Sequence, residues 1–357
     1  MQEGTANAPP RTWRTRLHRW FPAARIAASA VILVVLLRKV RLHSLLPKWD
    51  HTTFLWLAAG VACFILAIAL STVRWQRVLD AMDVPSRFGS LFNTYLACQF
   101  VSSFLPSSIG GDAVRVTRLS SQRTSPDAPE APDAFASVVL DRMSGWLILP
   151  LLCLAGLLVN PALRHQGRSS RIALTLSLVS LAALVVVIVV AASPRFGGRL
   201  AGRRGVARFF GAVHEGIDRL RHRPIVIAQV LAAALVYQLA VIVAALLATH
   251  ALGIHIGPTA LLAFVPAVAI VQVLPISFGG LGVREGALVL FLKPLGVASG
   301  QAVALGLLLY AMQLISSLLG APSRTPRPPK EMGRTWTIAT AGTKASRAVG
   351  PMWMPRA

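Results

Sequence analysis

The sequence predicts an all-α, polytopic helical membrane protein with about six full spans and two re-entrant hairpins broken by proline and glycine. These make about eight hydrophobic segments with inverted-repeat character. Three observations lead to this prediction. Hydrophobic residues make up 55% of the 357 residues and charged residues only 14%, whereas soluble domains carry about a quarter charged residues. Apolar runs recur along the chain, and the pattern LPxSxGGxxVR stands at residues 105–115 and again at 274–284.

The N-terminal residues 1–21 are basic, and we expect them to be cytoplasmic. The apolar stretch IAASAVILVVLL follows and is itself followed by RKVR, with no small-residue cleavage site. This order is typical of a signal anchor rather than of a removable signal peptide. The stretch therefore predicts the first span of a membrane domain that extends over residues 22–320.

The remaining apolar segments differ in whether they are long and apolar enough to cross a bilayer, which requires about 20 apolar residues. The segments that lead into the two repeats are the doubtful ones, since polar residues precede the first break and only a short apolar run follows the second. The apolar segments lie at residues 22–40, 54–73, 91–109, 134–159, 172–192, 225–250, 258–276, 286–293 and 297–319.

The distribution of basic residues favours hairpins at these doubtful places. If every long segment crossed, the basic stretch 195–223 would lie outside, against the rule that cytoplasmic loops carry the excess of Lys and Arg. If each repeat instead marks a re-entrant hairpin, both termini are cytoplasmic and the basic residues lie inside by roughly three to one. The two hairpins would then enter from opposite sides and meet, which is typical of a transporter binding site.

The repeated pattern predicts a cavity that binds an anion such as a lipid phosphate. Broken helices at membrane depth persist only where protein or water covers them. A helix that begins after each glycine pair would direct free N–H groups at the anion, and an arginine in each copy would add bidentate contacts. The alternative is that proline and glycine only kink the chain. The expected phosphate-binding residues are Arg115, Arg284, Gly110, Gly111, Gly279, Gly280, Ser108 and Ser277, with the hairpin breaks at Pro106 and Pro275.

Carboxylates beside the arginines predict charge partners or contacts to a lipid headgroup. Asp112 and Glu285 each lie close to the arginine of their own repeat, where they could neutralise it or carry a coupling proton. The sequence VVLDRMSGW adds Asp141 and Arg142 within an apolar segment. Neighbours on a helix do not face each other, so we expect Asp141 to pair with Arg115 and Arg142 with Glu285. Hydration of Asp141 near the interface is the alternative.

Other polar residues give weaker signals. The run Arg74-Trp75-Gln76-Arg77 is interpreted as an interfacial anchor in preference to a headgroup contact, and Gln99 and Gln272 are candidates for lining the cavity. The histidines and the three cysteines have no metal-ligand spacing, and no nucleotide-binding or nucleophile motif occurs. We therefore expect no metal, no cofactor and no catalytic residue.

Two further segments are expected outside the membrane core. Apolar residues at helical spacing within 203–221, with arginines between them, predict an amphipathic cytoplasmic helix on the anionic leaflet. A solvated basic connector is the alternative. Residues 321–357 are basic and rich in proline without an apolar period, so we expect a disordered tail.

Four motifs in order, RWQRVL, FLPSSIGGDAVRVTRL, VVLDRMSGW and VLPISFGGLGVREGAL, carry a resemblance to a known family. Over residues 25–320 the chain resembles the transmembrane, flippase-like domain of lysylphosphatidylglycerol synthases and its stand-alone relatives. The resemblance implies movement of a lipid between leaflets of the cell inner membrane. Because only the basic tail follows Leu319, we expect a stand-alone member without the soluble synthase domain.

The predicted function is that of an integral membrane protein that binds an anionic phospholipid or polyprenyl-linked glycolipid and assists its translocation between leaflets. One alternative is an intramembrane transferase that acts on a lipid-linked substrate, with Asp112 or Asp141 as base. Another is an accessory subunit of a lipid or glycolipid synthase. A partner synthase or glycosyltransferase is compatible with the prediction, and nucleic acid is not expected despite a formal charge of +23, since basic loops also face anionic headgroups.

Overall fold

A computed structural model of the chain describes residues 50–104, 109–121, 130–164, 167–193, 206–273 and 282–318. Every regular element within these ranges is a helix. The basic N-terminus, the first predicted span at 22–40 and the tail at 321–357 lie outside the described residues. The helices are α1 (His51–Ala81), α2 (Phe88–Phe104), α3 (Ile109–Ser121), α4 (Ala131–Val159), α5 (Pro161–Arg164), α6 (Arg168–Ala192), α7 (Val206–Arg221), α8 (Pro224–Ala251), α9 (Pro258–Val273), α10 (Val283–Leu292, continued by a 3₁₀ turn at Lys293–Leu295) and α11 (Ser299–Leu318).

Five of these helices are long and apolar enough to cross a membrane: α1, α4, α6, α8 and α11. They correspond to five of the six predicted crossings. A polytopic helical membrane protein is therefore confirmed. Its helices approach one another closely through small residues, as expected where the surrounding lipid removes the hydrophobic driving force for helix association. A Cβ at Gly156 of α4, for example, would lie 2.5 Å from the backbone nitrogen of Ala263 in α9.

The two repeats lie where the short helices are interrupted, as predicted. The helix α2 ends just before residues 105–108 and α3 begins just after them, while α9 and α10 flank residues 274–281. With 17 and 16 residues, α2 and α9 fall short of the roughly 20 that a span requires. Within each pair, the two short helices pack against each other.

The first pair of short helices leaves one end of the bundle and returns to it. Near the end of α1, Trp75 donates a hydrogen bond to Ser137 near the start of α4, with 3.2 Å between Nε1 and Oγ. The chain between Met82 and Glu130 therefore begins and ends at the same level. At the opposite ends of the bundle, Asn160 after α4 donates to Thr259 at the start of α9 over 3.0 Å.

The helix of the first repeat starts before its glycine pair, which differs from the prediction, whereas the helix of the second repeat starts after its pair as predicted. The helix α3 already begins at Ile109, so Gly110 and Gly111 form its first turn. Gly111 is needed there for packing, because a Cβ would lie 2.8 Å from the carbonyl oxygen of Cys98 in α2. The helix α10 begins only at Val283, since Gly282 has φ +83°, which a right-handed helix does not admit.

The predicted amphipathic helix is present as α7, but protein covers part of its apolar face. Ala212 and Val213 are buried, and Phe209 packs edge-on against Phe135 of α4 with 5.4 Å between ring centroids. Phe210 remains exposed. The start of α4 therefore covers part of the face that we expect on the leaflet, and the position of α7 at the leaflet stays a prediction.

Candidate functional site

The short helices and the long helices enclose one cavity of about 370 Å³ in the described part of the chain. Its volume is within the range of about 300–1,000 Å³ that small-molecule sites occupy. Both repeats contribute to it, Gly111, Asp112 and Arg115 from the first and Arg284 from the second. Arg74 and Arg142 complete a lining with four guanidinium groups. The prediction that the two repeats meet at one cavity is confirmed.

Asp141 on α4 stands beside this cavity as a fully buried carboxylate. Its Oδ1 accepts a hydrogen bond from Arg74 Nε at 2.7 Å, and its Oδ2 accepts one from an Arg115 terminal nitrogen, also at 2.7 Å. The predicted pairing of Arg115 with Asp141 is confirmed, and the alternative of a hydrated Asp141 near the interface is wrong. A buried carboxylate in apolar surroundings needs such partners to remain charged.

Aromatic rings hold the planes of these two arginines. The guanidinium of Arg115 lies 4.1 Å from the ring centroid of Trp75 and 4.7 Å from that of Tyr95. Arg74 lies over the ring of Tyr237 at 5.7 Å. Because cations are attracted to ring faces, most strongly when water is excluded, these contacts fix the arginines in place without consuming their N–H donors.

Arg142 pairs with Asp112 and not with Glu285, so that prediction is wrong. The Arg142 Nε and a terminal nitrogen lie 3.0 and 2.9 Å from the two oxygens of Asp112. Asp112 also lies 3.7 Å from a terminal nitrogen of Arg115. Glu285 is unavailable to Arg142 because it is bound within its own helix.

Glu285 is fully buried at the start of α10 and caps that helix. Its Oε2 accepts a hydrogen bond from the Gly282 N–H at 2.5 Å, and its Oε1 accepts one from Arg284 Nε at 3.2 Å. The expectation of free N–H groups directed at an anion is thus wrong for the Gly282 N–H, because this carboxylate already occupies it. Arg284 in turn lies over the ring of Tyr310 at 5.1 Å.

Two glycines make room for the buried charges. A Cβ at Gly145, in the VVLDRMSGW motif, would lie 2.6 Å from a terminal nitrogen of Arg74. A Cβ at Gly306 of α11 would lie 2.9 Å from Cγ of Glu285. Both distances are shorter than real Cβ contacts, so any side chain at these positions would displace a charged group.

The charges of the site do not cancel. Four arginines face three carboxylates, Asp112, Asp141 and Glu285, which leaves one positive charge in excess. Moreover, Nε and one terminal nitrogen of Arg115, and one terminal nitrogen of Arg284, are buried without a hydrogen-bond acceptor in the described ranges. Since buried donors are normally paired, these groups indicate a site for an anion.

The remaining predicted residues divide into three groups. Gln99 and Gln272 line the cavity as predicted. Gly110 lies in the first turn of α3 and is not among the lining residues. Pro106, Ser108, Pro275, Ser277, Gly279 and Gly280 lie outside the described residues.

Sequence reasoning missed Arg74, which it interpreted as an interfacial anchor. A signal was present, since Ala67, Ser71 and Arg74 recur at helical spacing and share the buried, cavity-lining face of α1. It also missed Gln238 on α8, which lies within an uninterrupted apolar segment. The tyrosines whose rings contact the arginines were missed as well.

The fold and the site define a polytopic helical membrane protein with an arginine-lined cavity formed by two sequence-related pairs of short helices. Residues 23–320 match the family model described as "Lysylphosphatidylglycerol synthase TM region". This match covers most of the chain, so the protein belongs to that family. No curated protein matches the chain.

Proposed function

We propose that this protein binds the phosphate of an anionic lipid in the cavity and assists the lipid in changing leaflet. The observation that carries the proposal is the set of buried guanidinium nitrogens of Arg115 and Arg284 that lack acceptors in the described ranges. The single excess positive charge suits a phosphodiester, which carries one negative charge. Arginine is also the residue that binds phosphate oxygens in bidentate fashion.

The placement of the site suits translocation rather than structural support alone. Short interrupted helices from two related segments line one cavity between long spanning helices. Such pairs of broken helices are the expected location of a transporter's substrate site. No nucleotide-binding motif occurs in the sequence, so we propose that movement is downhill or coupled to an ion.

The carboxylates are better suited to neutralising the arginines than to acid–base catalysis. Both oxygens of Asp141 accept hydrogen bonds from arginines, and Asp112 is held by Arg142. A general base must be able to reach the proton that it removes, whereas Asp141 is buried with both oxygens bonded and Asp112 already neutralises Arg142. We therefore propose a non-catalytic function, in the cell inner membrane with both termini cytoplasmic, either alone or beside a synthase or glycosyltransferase that makes the lipid.

Leaflet exchange of fluorescent lipid in proteoliposomes tests this proposal. We expect Arg284→Met to lower the exchange rate about tenfold or more, since a charge-assisted hydrogen bond contributes about 1.5–3 kcal/mol. Arg284→Lys retains the charge without the planar donor fork and should give an intermediate rate. Arg171→Gln removes an exposed arginine of α6 and serves as the matched control.

The exchange rate of the unaltered protein must exceed that of protein-free liposomes. Equal rates in the unaltered protein and the correctly folded Arg284→Met variant would contradict phosphate binding at this site. Exchange that falls equally in Arg284→Met and Arg171→Gln would point to a general effect of surface charge and would also contradict it.

A further inference from the structure

Each carboxylate at the cavity in the described part of the chain already has an arginine partner. Asp141 is shared by Arg74 and Arg115, Asp112 is bound by Arg142, and Glu285 lies between Arg284 and the Gly282 N–H. An ammonium group entering the cavity would therefore meet four guanidinium groups whose counter-ions are already engaged. Like charges brought together in a poorly solvated site repel each other strongly.

Three tyrosine rings near the arginines of the cavity each have a guanidinium group over one face. Arg115 lies over Tyr95, Arg74 over Tyr237 and Arg284 over Tyr310. Ring faces are the other common binding surface for ammonium groups in proteins. An arginine therefore already lies over one face of each of these rings, and an amine that approached them would do so beside that positive charge.

The cavity instead offers neutral hydrogen-bonding groups in unusual number for a membrane interior. Four glutamines line it, Gln99, Gln238, Gln272 and Gln313, together with the hydroxyls of Ser71 and Ser102. Gln238 is only 5% exposed. Its amide, like that of Gln313, has no hydrogen-bond partner among the residues that the structure describes. A buried amide is normally paired, so Gln238 indicates a ligand that both donates and accepts, and the half-buried Gln313 lines the same cavity.

We propose that the lipid bound here is a monoanionic phosphodiester whose headgroup is an uncharged polyol, such as glycerol, inositol or a sugar, and not an aminoacylated or zwitterionic headgroup. Arg284 and Arg115 contact the phosphate, while Gln238 and Gln313 pair with headgroup hydroxyls, which donate and accept as amides do. This inference rests on the proposed function, because it takes the lipid phosphate as given and specifies what is attached to it.

Native mass spectrometry of the full chain in a non-ionic detergent tests the inference with four dioctanoyl lipids. Phosphatidylglycerol has one negative charge and a diol, and phosphatidylmethanol has the same charge without hydroxyls. Phosphatidylethanolamine is zwitterionic, and lysylphosphatidylglycerol carries two ammonium groups. We expect phosphatidylglycerol to bind about tenfold more tightly than phosphatidylmethanol, and both to bind more tightly than the two lipids with amines.

Variants separate the hydroxyl contacts from the phosphate contacts. The double variant Gln238→Leu with Gln313→Leu should lower the affinity for phosphatidylglycerol to that for phosphatidylmethanol and leave the latter unchanged. Gln229→Leu, an exposed position on the same helix as Gln238, is the control. Arg284→Met should lower the affinity for both phosphatidylglycerol and phosphatidylmethanol. The soluble headgroup glycerophosphoglycerol, added in excess, should fail to displace phosphatidylglycerol, because it lacks acyl chains.

The outcomes distinguish this inference from the proposed function. Equal affinity for phosphatidylglycerol and phosphatidylethanolamine, or no effect of the glutamine variants, overturns the polyol headgroup while an effect of Arg284→Met still supports the phosphate site. Tighter binding of lysylphosphatidylglycerol also overturns it. If Arg284→Met changes no affinity, the phosphate site fails as well. Displacement by glycerophosphoglycerol at matching concentration would mean that the site takes a soluble phosphodiester, and would overturn the lipid assignment.

Discussion

Asp141 is the residue on which two arginines from different helices depend. It holds Arg74 of α1 and Arg115 of α3, each at 2.7 Å, and it is fully buried. Its removal would leave both guanidinium groups without this counter-ion in a poorly solvated interior. The loss of one partner of a buried ion pair is far more costly than the pair's net contribution to stability, because an uncompensated charge remains.

We therefore expect Asp141→Asn to lower the free energy of unfolding by about 3–5 kcal/mol. The control is Asp80→Asn, which removes an exposed partner of Arg77 on the same side of the bundle and should cost about 0–1 kcal/mol. Unfolding of both variants in mixed micelles, followed by circular dichroism, measures the difference. Equal stability of the two variants would contradict the central role of Asp141.

Local spacing identified most of the charged residues of the site, but not their pairing. Matched positions in the two repeats indicated Arg115 and Arg284, and charge within an apolar segment indicated Asp141. The partner of Arg142 could not be predicted, because the rotation of one helix against another depends on tertiary packing. Arg74 was misplaced because the apolar segment was expected to end at residue 73, whereas α1 continues to Ala81 and carries Arg74 into the buried interior.

At the scale of the elements, α10 and α11 fit together around a buried charge. Gly306 of α11 faces Glu285 of α10, which caps its own helix through the Gly282 N–H and binds Arg284. The absence of a side chain at Gly306 of α11 therefore leaves room for Glu285 of α10, which in turn holds Arg284 in its position at the cavity. Close approach through glycine is the expected device where helices pack in a membrane.

We expect Gly306→Ala to destabilise the protein by about 1–3 kcal/mol, as overpacking does, and to weaken lipid binding by displacing Glu285 and Arg284. Gly286→Ala is the matched control on α10, where a Cβ would meet nothing within 4 Å. This control should be neutral or stabilising by up to about 1 kcal/mol, because alanine is the better helix former. Thermal unfolding and lipid titration of both variants provide the measurements. A Gly306→Ala protein with unaltered stability and affinity would refute the coupling between these helices.

The helix α7 links the ends of several long helices. Arg219 donates to the carbonyl of Met82 over 3.0 Å, and Arg223, just after α7, donates to that of Asp80 over 2.9 Å. Both carbonyls belong to the C-terminal end of α1, where helices leave acceptors unpaired and favour cations. Arg219, which lies in the segment that the sequence predicts to face the anionic leaflet, thus binds protein.

At the scale of the whole molecule, the number of spanning helices was predictable and their sidedness remains a prediction. Length and hydropathy are sufficient to find a span, and five of the six predicted crossings are present. The charge distribution further predicts that Arg221 lies inside and Arg171 outside. The start of each short helix relative to its glycine pair was not predictable, because Gly111 packs against α2 within the first turn of α3, whereas Gly282, after the second pair, has the positive φ that precedes α10.

Labelling of single cysteines by an impermeant maleimide tests this sidedness. In a background without the three native cysteines, Arg171→Cys should react from outside intact cells, and Arg221→Cys should react only in inverted vesicles. Arg87→Cys, which lies inside in either arrangement of the hairpins, is the reference. The opposite result, with Arg221→Cys labelled from outside, would mean that the segment of the first repeat crosses the membrane fully.

The seven charges of the site are divided unevenly between short and long helices. On α3 the pair Asp112 and Arg115 sums to zero, and on α10 the pair Glu285 and Arg284 does so too. The excess positive charge belongs to α1 and α4, through Arg74, Asp141 and Arg142. The helix α10 could thus shift its site residues through the low-dielectric interior as an electrically neutral unit, at less cost than an unbalanced charge would incur, whereas α3 also carries Arg118. The excess positive charge would stay with the long helices throughout such a movement, while Arg284, which is proposed to contact the phosphate, would move with α10.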